Sequence, residues 1–87
     1  MNLLFTDEAW DDYCYWQQYD KKLLKKINNL LKEIKRIPYE GIGKPEPLKH
    51  ELQGAWSRRI NQEHRLVYEV FDEQINVLAC RYHYGSE

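Results

Sequence analysis

Cysteine, methionine, net charge and long apolar runs are all scarce in this sequence. Its 87 residues hold two cysteines, one methionine, three prolines and four glycines. Cys14 and Cys80 stand alone among apolar neighbours, with no second cysteine close to either. That excludes a zinc ribbon or a C-x-x-C redox pair, and reads as two reduced core thiols in a reducing compartment. No uncharged run approaches the ~18 apolar residues of a membrane span, and no basic N-terminal stretch followed by apolar residues marks a leader. The expectation is a soluble, cytoplasmic protein with no membrane partner. Lys plus Arg is 13 against 14 Asp plus Glu, a net charge of -1. The chain therefore lacks the basic field of a general nucleic-acid binder, and any RNA or DNA role needs a local patch. At this length, with 43% hydrophobic residues, there is room for one domain over residues 1–87 and one small core.

Near-neutrality conceals an asymmetry. Residues 1–20 carry five acids and no base, whereas residues 21–36 carry seven bases against Glu33 alone. A strand-like apolar run, Met1 to Phe5, leads to Thr6, which with Asp7 and Glu8 reads as a helix N-cap. Trp10, Tyr13, Cys14 and Gln17 then fall at helical spacing, predicting a first helix ending near Tyr19. Asp20 is a second N-cap, and Leu23, Leu24, Ile27, Leu30, Leu31 and Ile34 give an apolar stripe over residues 21–36. The lysines occupy its other face. Such lysines ordinarily form a solvated surface, and a contact with RNA is the sharper alternative. The three tryptophans, Trp10, Trp16 and Trp56, read as core.

All three prolines and two of the four glycines fall between Ile37 and Pro47, which predicts a stiff loop. Glu46, between Pro45 and Pro47, is held there with little entropy left to lose. The second half reads as a meander of strands: Leu48–Gln53, Ala55–Ile60, His64–Phe71 and Ile75–Tyr84. The fold class is α+β, an N-terminal strand and helical hairpin packed on one face of a mainly antiparallel β-sheet.

Register sharpens the picture. A three-residue loop at Asp72–Gln74 pairs Val67 with Ala79, Leu66 with Cys80 and Arg65 with Arg81. One face then collects Leu66, Tyr68, Val70, Leu78, Cys80 and Tyr82 as core. The other carries Arg65, Arg81 and His83, joined by Arg59 opposite Arg65. Arg58 falls awkwardly on the core side with Trp56. Crowded arginines point to an anionic partner, since guanidinium matches phosphate in bidentate geometry. Tyr82 and Tyr84 flank His83 and are suited to stacking a base. Taken singly, each residue also has an ordinary role: Glu46 as a solvated loop acid, His83 as a surface histidine, Arg65 as an exposed ion-pair partner.

Four blocks carry a resemblance: G-K-P-E-P-L-K-H from Gly43 to His50, W-S-R-R-I from Trp56, E-H-R-L-V-Y from Glu63, and A-C-R-Y-H-Y from Ala79 to Tyr84. With W-D-D-Y at Trp10 they resemble the YoeB (Txe) toxins of the RelE superfamily over residues 1–84. The resemblance implies a RelE-like fold and the toxin half of a type II toxin–antitoxin pair, held inactive by a YefM-type antitoxin and reaching operator DNA only through that complex. It implies a ribosome-dependent endoribonuclease that cuts mRNA in the A site and so stops translation. It assigns Glu46 as general base, His83 as general acid, Arg65 as the phosphate-stabilising group and Tyr84 as an orienting neighbour, with Lys49 and Arg59 against RNA. No metal or cofactor is implied, and a homodimer contact is left open. The chain continues past the His-Tyr pair, where the family usually ends, with Gly85, Ser86 and Glu87. The alternative is a ParE-like inhibitor or an inactive antitoxin-binding or corepressing module, which has no use for His83.

Overall fold

Thr6 and Asp20 decide where the helices begin. The Thr6 hydroxyl accepts from the Ala9 N–H at 3.1 Å and opens helix α1, Asp7–Tyr19. Asp20 serves twice: its N–H closes α1 on Trp16 O, and its carboxylate accepts from Leu23 N–H at 3.0 Å to open helix α2, Lys21–Arg36. One residue thus makes the hairpin bend and satisfies groups that a helix end leaves without partners. The structure, a computed structural model, describes residues 1–82.

Five strands form one sheet in the order β1-β5-β4-β3-β2, with β1 at Asn2–Phe5, β2 at Glu46–Pro47, β3 at Trp56–Arg59, β4 at Arg65–Phe71 and β5 at Gln74–Ala79. β1 runs parallel to β5, and the other three pairings are antiparallel. Both helices cover one face. There Ile27, Leu30 and Ile34 of α2 and Ala9 and Trp16 of α1 meet Leu66, Tyr68, Ile75, Val77 and Cys80. The six lysines of α2 are exposed, as the apolar stripe predicts. A second, smaller cluster of Leu48, Ala55, Val67 and Ala79 lies apart from this core, with Leu52 and Leu78 packed against it.

Four expectations are corrected. Leu48–Gln53 is not a strand. Lys49 O accepts from Leu52 N–H, His50 O accepts from Gln53 N–H, and His50 takes a φ of 59°, so the segment winds into a one-turn 3-10 helix at His50–Leu52. The β4–β5 turn pairs Phe71 with Gln74 rather than with Ile75, and an irregularity beside Val67/Tyr68 then restores Val67 opposite Ala79. Beyond that bulge Ile75 and Val77 take the core side, and Leu78 packs against the smaller cluster instead. β5 ends at Ala79. Trp10 is 52% exposed, stacked on Tyr13 and edge-on to Phe5 rather than buried.

Arg58 is where the awkward register proves correct. It faces the helices opposite Leu66 and is wholly buried. Its guanidinium donates to three backbone carbonyls of the proline- and glycine-rich loop: Ile37 O and Glu40 O at 2.6 Å each, and Ile42 O at 3.1 Å. A buried charge is tolerable only when its donors are satisfied, and here the loop supplies the acceptors. Gly43 closes the same junction. It has a φ of 83°, its carbonyl accepts from Arg59 N–H at 2.6 Å, and a Cβ there would meet Leu30, Arg58 and the Arg59 carbonyl at 3.0–3.2 Å. The loop that carries Glu46 is thereby tied to β3.

Candidate active site

The face of the sheet opposite the helices carries a continuous cross-strand row. Glu46 pairs with Ser57, Ser57 with Val67, and Val67 with Ala79. Directly opposed residues share a face, and so do residues two apart on a strand. Arg59 and Arg65, themselves opposite one another, therefore lie on the same side as Glu46. At about 4.8 Å between strands and about 3.3 Å per residue, Glu46 and Arg65 start from Cα atoms roughly 12 Å apart. That span suits one phosphodiester held between a carboxylate and a guanidinium.

The residues differ in exposure. Glu46, Lys49 and Arg59 are exposed. Lys49 precedes the 3-10 turn, three residues beyond Glu46, and lines a shallow hollow together with His50, Glu51 and Leu52. Arg65 is buried at 3% exposure, against the expectation of an exposed group. Its Nη1 donates to Asn61 O at 2.8 Å, His64 O at 3.1 Å and Gln62 O at 3.3 Å. The carbonyls of the 61–64 turn thus fix the guanidinium, which has few rotamers left to lose.

Arg81 leaves this face. Its guanidinium carbon lies 3.5 Å from the centroid of the Tyr15 ring and 4.7 Å from that of Tyr82. Among the described residues its Nε is buried with no hydrogen-bond partner. The Tyr15 ring of α1 accommodates the cation, which also lies near enough to Asp12 to favour its carboxylate form. The crowding of arginines is therefore relieved in part by carbonyls and ring faces. His83 and Tyr84, two of the residues singled out in the sequence, lie outside the described residues.

Several contributors escaped the sequence reading. Asp12 of α1 accepts from Cys80 N–H at 3.0 Å through Oδ2, and Trp16 Nε1 donates to Cys80 O at 2.7 Å. Burial, the largest influence on Asp12, raises its pKa above the ordinary 3.8 against the lowering effect of the Cys80 N–H. Burial pushes the Cys80 thiol up to about 12. That sulfur stays protonated and is no nucleophile. His64 Nδ1 accepts from Tyr82 N–H at 2.8 Å. None of these pairings leaves a periodic signal, because each joins a helix or turn side chain to a distant backbone group. Among the described residues no group of His, Cys, Asp and Glu is arranged to hold a metal ion, and no helix is long and apolar enough to cross a membrane.

Comparison with known proteins agrees with this architecture. Residues 5–84 match the family model described as YoeB-like toxin of bacterial type II toxin-antitoxin system. Toxin YoeB of Escherichia coli K12 is 61% identical over 84 residues, spanning 97% of this chain and 100% of its own. The YoeB dimer from Staphylococcus aureus superposes with a TM-score of 0.91 at 58% identity, covering 97% of this chain and 98% of that one. The toxin in a heterotetrameric YoeB–YefM complex from the same organism gives 0.89 at 58% identity and the same coverage. With its helical hairpin on a five-stranded sheet and its match over nearly the whole length, this chain belongs to the family of YoeB-like toxins of bacterial type II toxin–antitoxin systems.

Proposed function

We propose that this chain is a ribosome-dependent endoribonuclease that cleaves mRNA in the A site by metal-free acid–base chemistry. The observation that carries the reading is the shared helix-free face of Glu46, Arg59 and Arg65, a base and two phosphate-matching cations on one rigid sheet. Glu46 takes the proton from a ribose 2′-OH. The 2′ oxygen attacks the adjacent phosphorus, Arg65 stabilises the charge gathering on the phosphorane oxygens, and the P–O5′ bond breaks as His83 protonates the departing oxygen. The products are a 2′,3′-cyclic phosphate, or the 3′-phosphate after water adds, and a 5′-OH end. Tyr84 orients the substrate beside His83, and Lys49 and Arg59 hold the flanking backbone. Acid or base assistance is worth about 10²–10⁴-fold, and fixed charge at the phosphorane adds to it.

Near-neutrality supports dependence on the ribosome. A chain of net charge -1 does not concentrate naked RNA by its own field, so selectivity comes from the surface on which the message is presented. A YefM-type antitoxin is the expected inhibitor and the route to operator DNA, and self-association as a dimer is expected, by likeness to the staphylococcal complex and dimer. The chemistry takes place in the cytoplasm, where ribosomes are. Incubation with message-programmed ribosomes, and with the same message alone, tests the proposal. Cleavage on the ribosome only, leaving 5′-OH ends, is the expected result; equal cleavage of naked message, or none on ribosomes that bind the protein, contradicts it.

A further inference from the structure

We infer that His64 is a positioning residue, setting the direction in which the chain leaves residue 82 toward His83. This rests on the reading of His83 as the general acid. Two clamps on residues 80 and 82 carry the inference. β5 stops at Ala79, so the sheet ladder no longer guides the chain, yet both polar backbone groups of Cys80 and of Tyr82 are engaged. Cys80 is held from α1, by Asp12 on its N–H and Trp16 on its carbonyl. Two residues on, Tyr82 N–H donates to His64 Nδ1 at 2.8 Å, and Tyr82 O accepts from Arg65 N–H at 2.9 Å. The residue between, Arg81, lies over the Tyr15 ring.

The clamp on Tyr82 has a conformational consequence. Tyr82 has a φ of 69°, in the left-handed region that side-chain-bearing residues seldom adopt. An unclamped tyrosine relaxes out of that region, and the direction in which the chain leaves residue 82 changes with it. His64 and Arg65, adjacent on the chain, hold Tyr82 by both of its backbone groups. Arg65 is also the proposed phosphate ligand, so one dipeptide relates the cation to the start of the tail.

His64 is suited to this task by its surroundings. It is buried at 8% exposure, with its ring edge-on to Trp16 at a centroid distance of 4.7 Å. Because Nδ1 accepts a hydrogen bond, the ring proton sits on Nε2, which faces Glu63 Oε1 at 3.6 Å. The imidazole is thus oriented on three sides.

The test compares wild-type protein with His64→Phe, His64→Asn and His83→Gln on programmed ribosomes, together with amide exchange at Tyr82. Phenylalanine keeps a ring against Trp16 but offers no acceptor; asparagine offers Oδ1 near the place of Nδ1. We expect His64→Phe to lose kcat on the order of 10–100-fold with KM unchanged, as a displaced reacting group does, and to lose protection of the Tyr82 amide. His64→Asn is expected to recover most of both. A folded His64→Phe protein with wild-type kcat beside an inactive His83→Gln overturns the positioning role alone, whereas an active His83→Gln overturns the acid assignment and this inference with it. Should His64→Phe not fold, the wild-type amide decides: exchange of Tyr82 N–H at the rate of an unstructured peptide overturns the inference.

Discussion

Arg58 Nε donates to the Tyr68 phenol at 3.2 Å, and the same phenol donates to Pro38 O at 2.7 Å. The two side chains are fully buried and form one relay from β4 through β3 to the loop that leads to Glu46. Burial pushes the Tyr68 pKa above its ordinary 10.0, so the phenol keeps the proton it donates. Tyr68→Phe removes an acceptor from a buried cation and a donor from a loop carbonyl. Such a loss costs about 1–3 kcal/mol. The urea midpoint is expected to fall by the corresponding amount with the slope unchanged.

Gly43 is a second point at which the loop is held. Gly43→Ala forces a Cβ to 3.0 Å from Leu30 Cδ2 and 3.1 Å from Arg58 Cβ, in a residue with a φ of 83°. The left-handed backbone alone costs on the order of 1–3 kcal/mol for a residue with a side chain. Thermal unfolding at a clearly lower temperature than wild type is the expected result, with ribosome-dependent cleavage reduced as well because Glu46 loses its anchorage.

The two thiols separate by reactivity. Cys80 is wholly buried with its pKa pushed up to about 12, whereas Cys14 on α1 is half-buried. Titration of native protein with a disulfide-exchange reagent is expected to modify one thiol, identified as Cys14 by peptide mapping, and to reach Cys80 only in denaturant. Rapid native modification of both contradicts the burial of Cys80.

Asp12 gives a pH dependence of definite sign. Its pKa is raised in the folded state, chiefly by burial, so on acidification the folded chain takes up this proton before the unfolded chain does. Between the raised value and the ordinary 3.8 the native state binds more protons at this site, and its contribution to stability grows as pH falls. The same contribution is lost as pH rises through the raised value. Asp12→Asn removes the titrating group while keeping an acceptor for Cys80 N–H. The stability of wild type relative to Asp12→Asn, followed by urea unfolding across that window, is expected to increase toward acid pH.

The helices were legible because their signals are local: Thr6 and Asp20 cap, and Leu23 to Ile34 repeat at helical spacing. The Arg59–Arg65 pairing and the buried side of Arg58 follow from counting across the Asn61–Glu63 turn. The count at the next turn was off by one near Phe71 and came right at Val67 only because a bulge adds a residue; no sequence pattern announces that. The 3-10 turn at His50–Leu52 was hidden for a similar reason, since it depends on a positive φ at a non-glycine residue. Within the site, residue types show which groups match a phosphate, and register shows which share a face. The carbonyls around Arg65 and the hold of His64 on Tyr82 are side-chain-to-backbone contacts between elements, visible only once the chain is folded.

The central claim is in-line attack by a ribose 2′-OH, and one atom of the substrate tests it. A message carrying a single 2′-deoxyribose immediately 5′ of the mapped cut is loaded on ribosomes, and its cleavage is compared with that of the all-ribose message. Loss of cutting at that bond, with ribosome binding intact, is the predicted result, because DNA-like sugar has no nucleophile to offer. Cleavage of the deoxy-substituted bond at an undiminished rate contradicts the account and requires water, not the sugar, to be the attacking group.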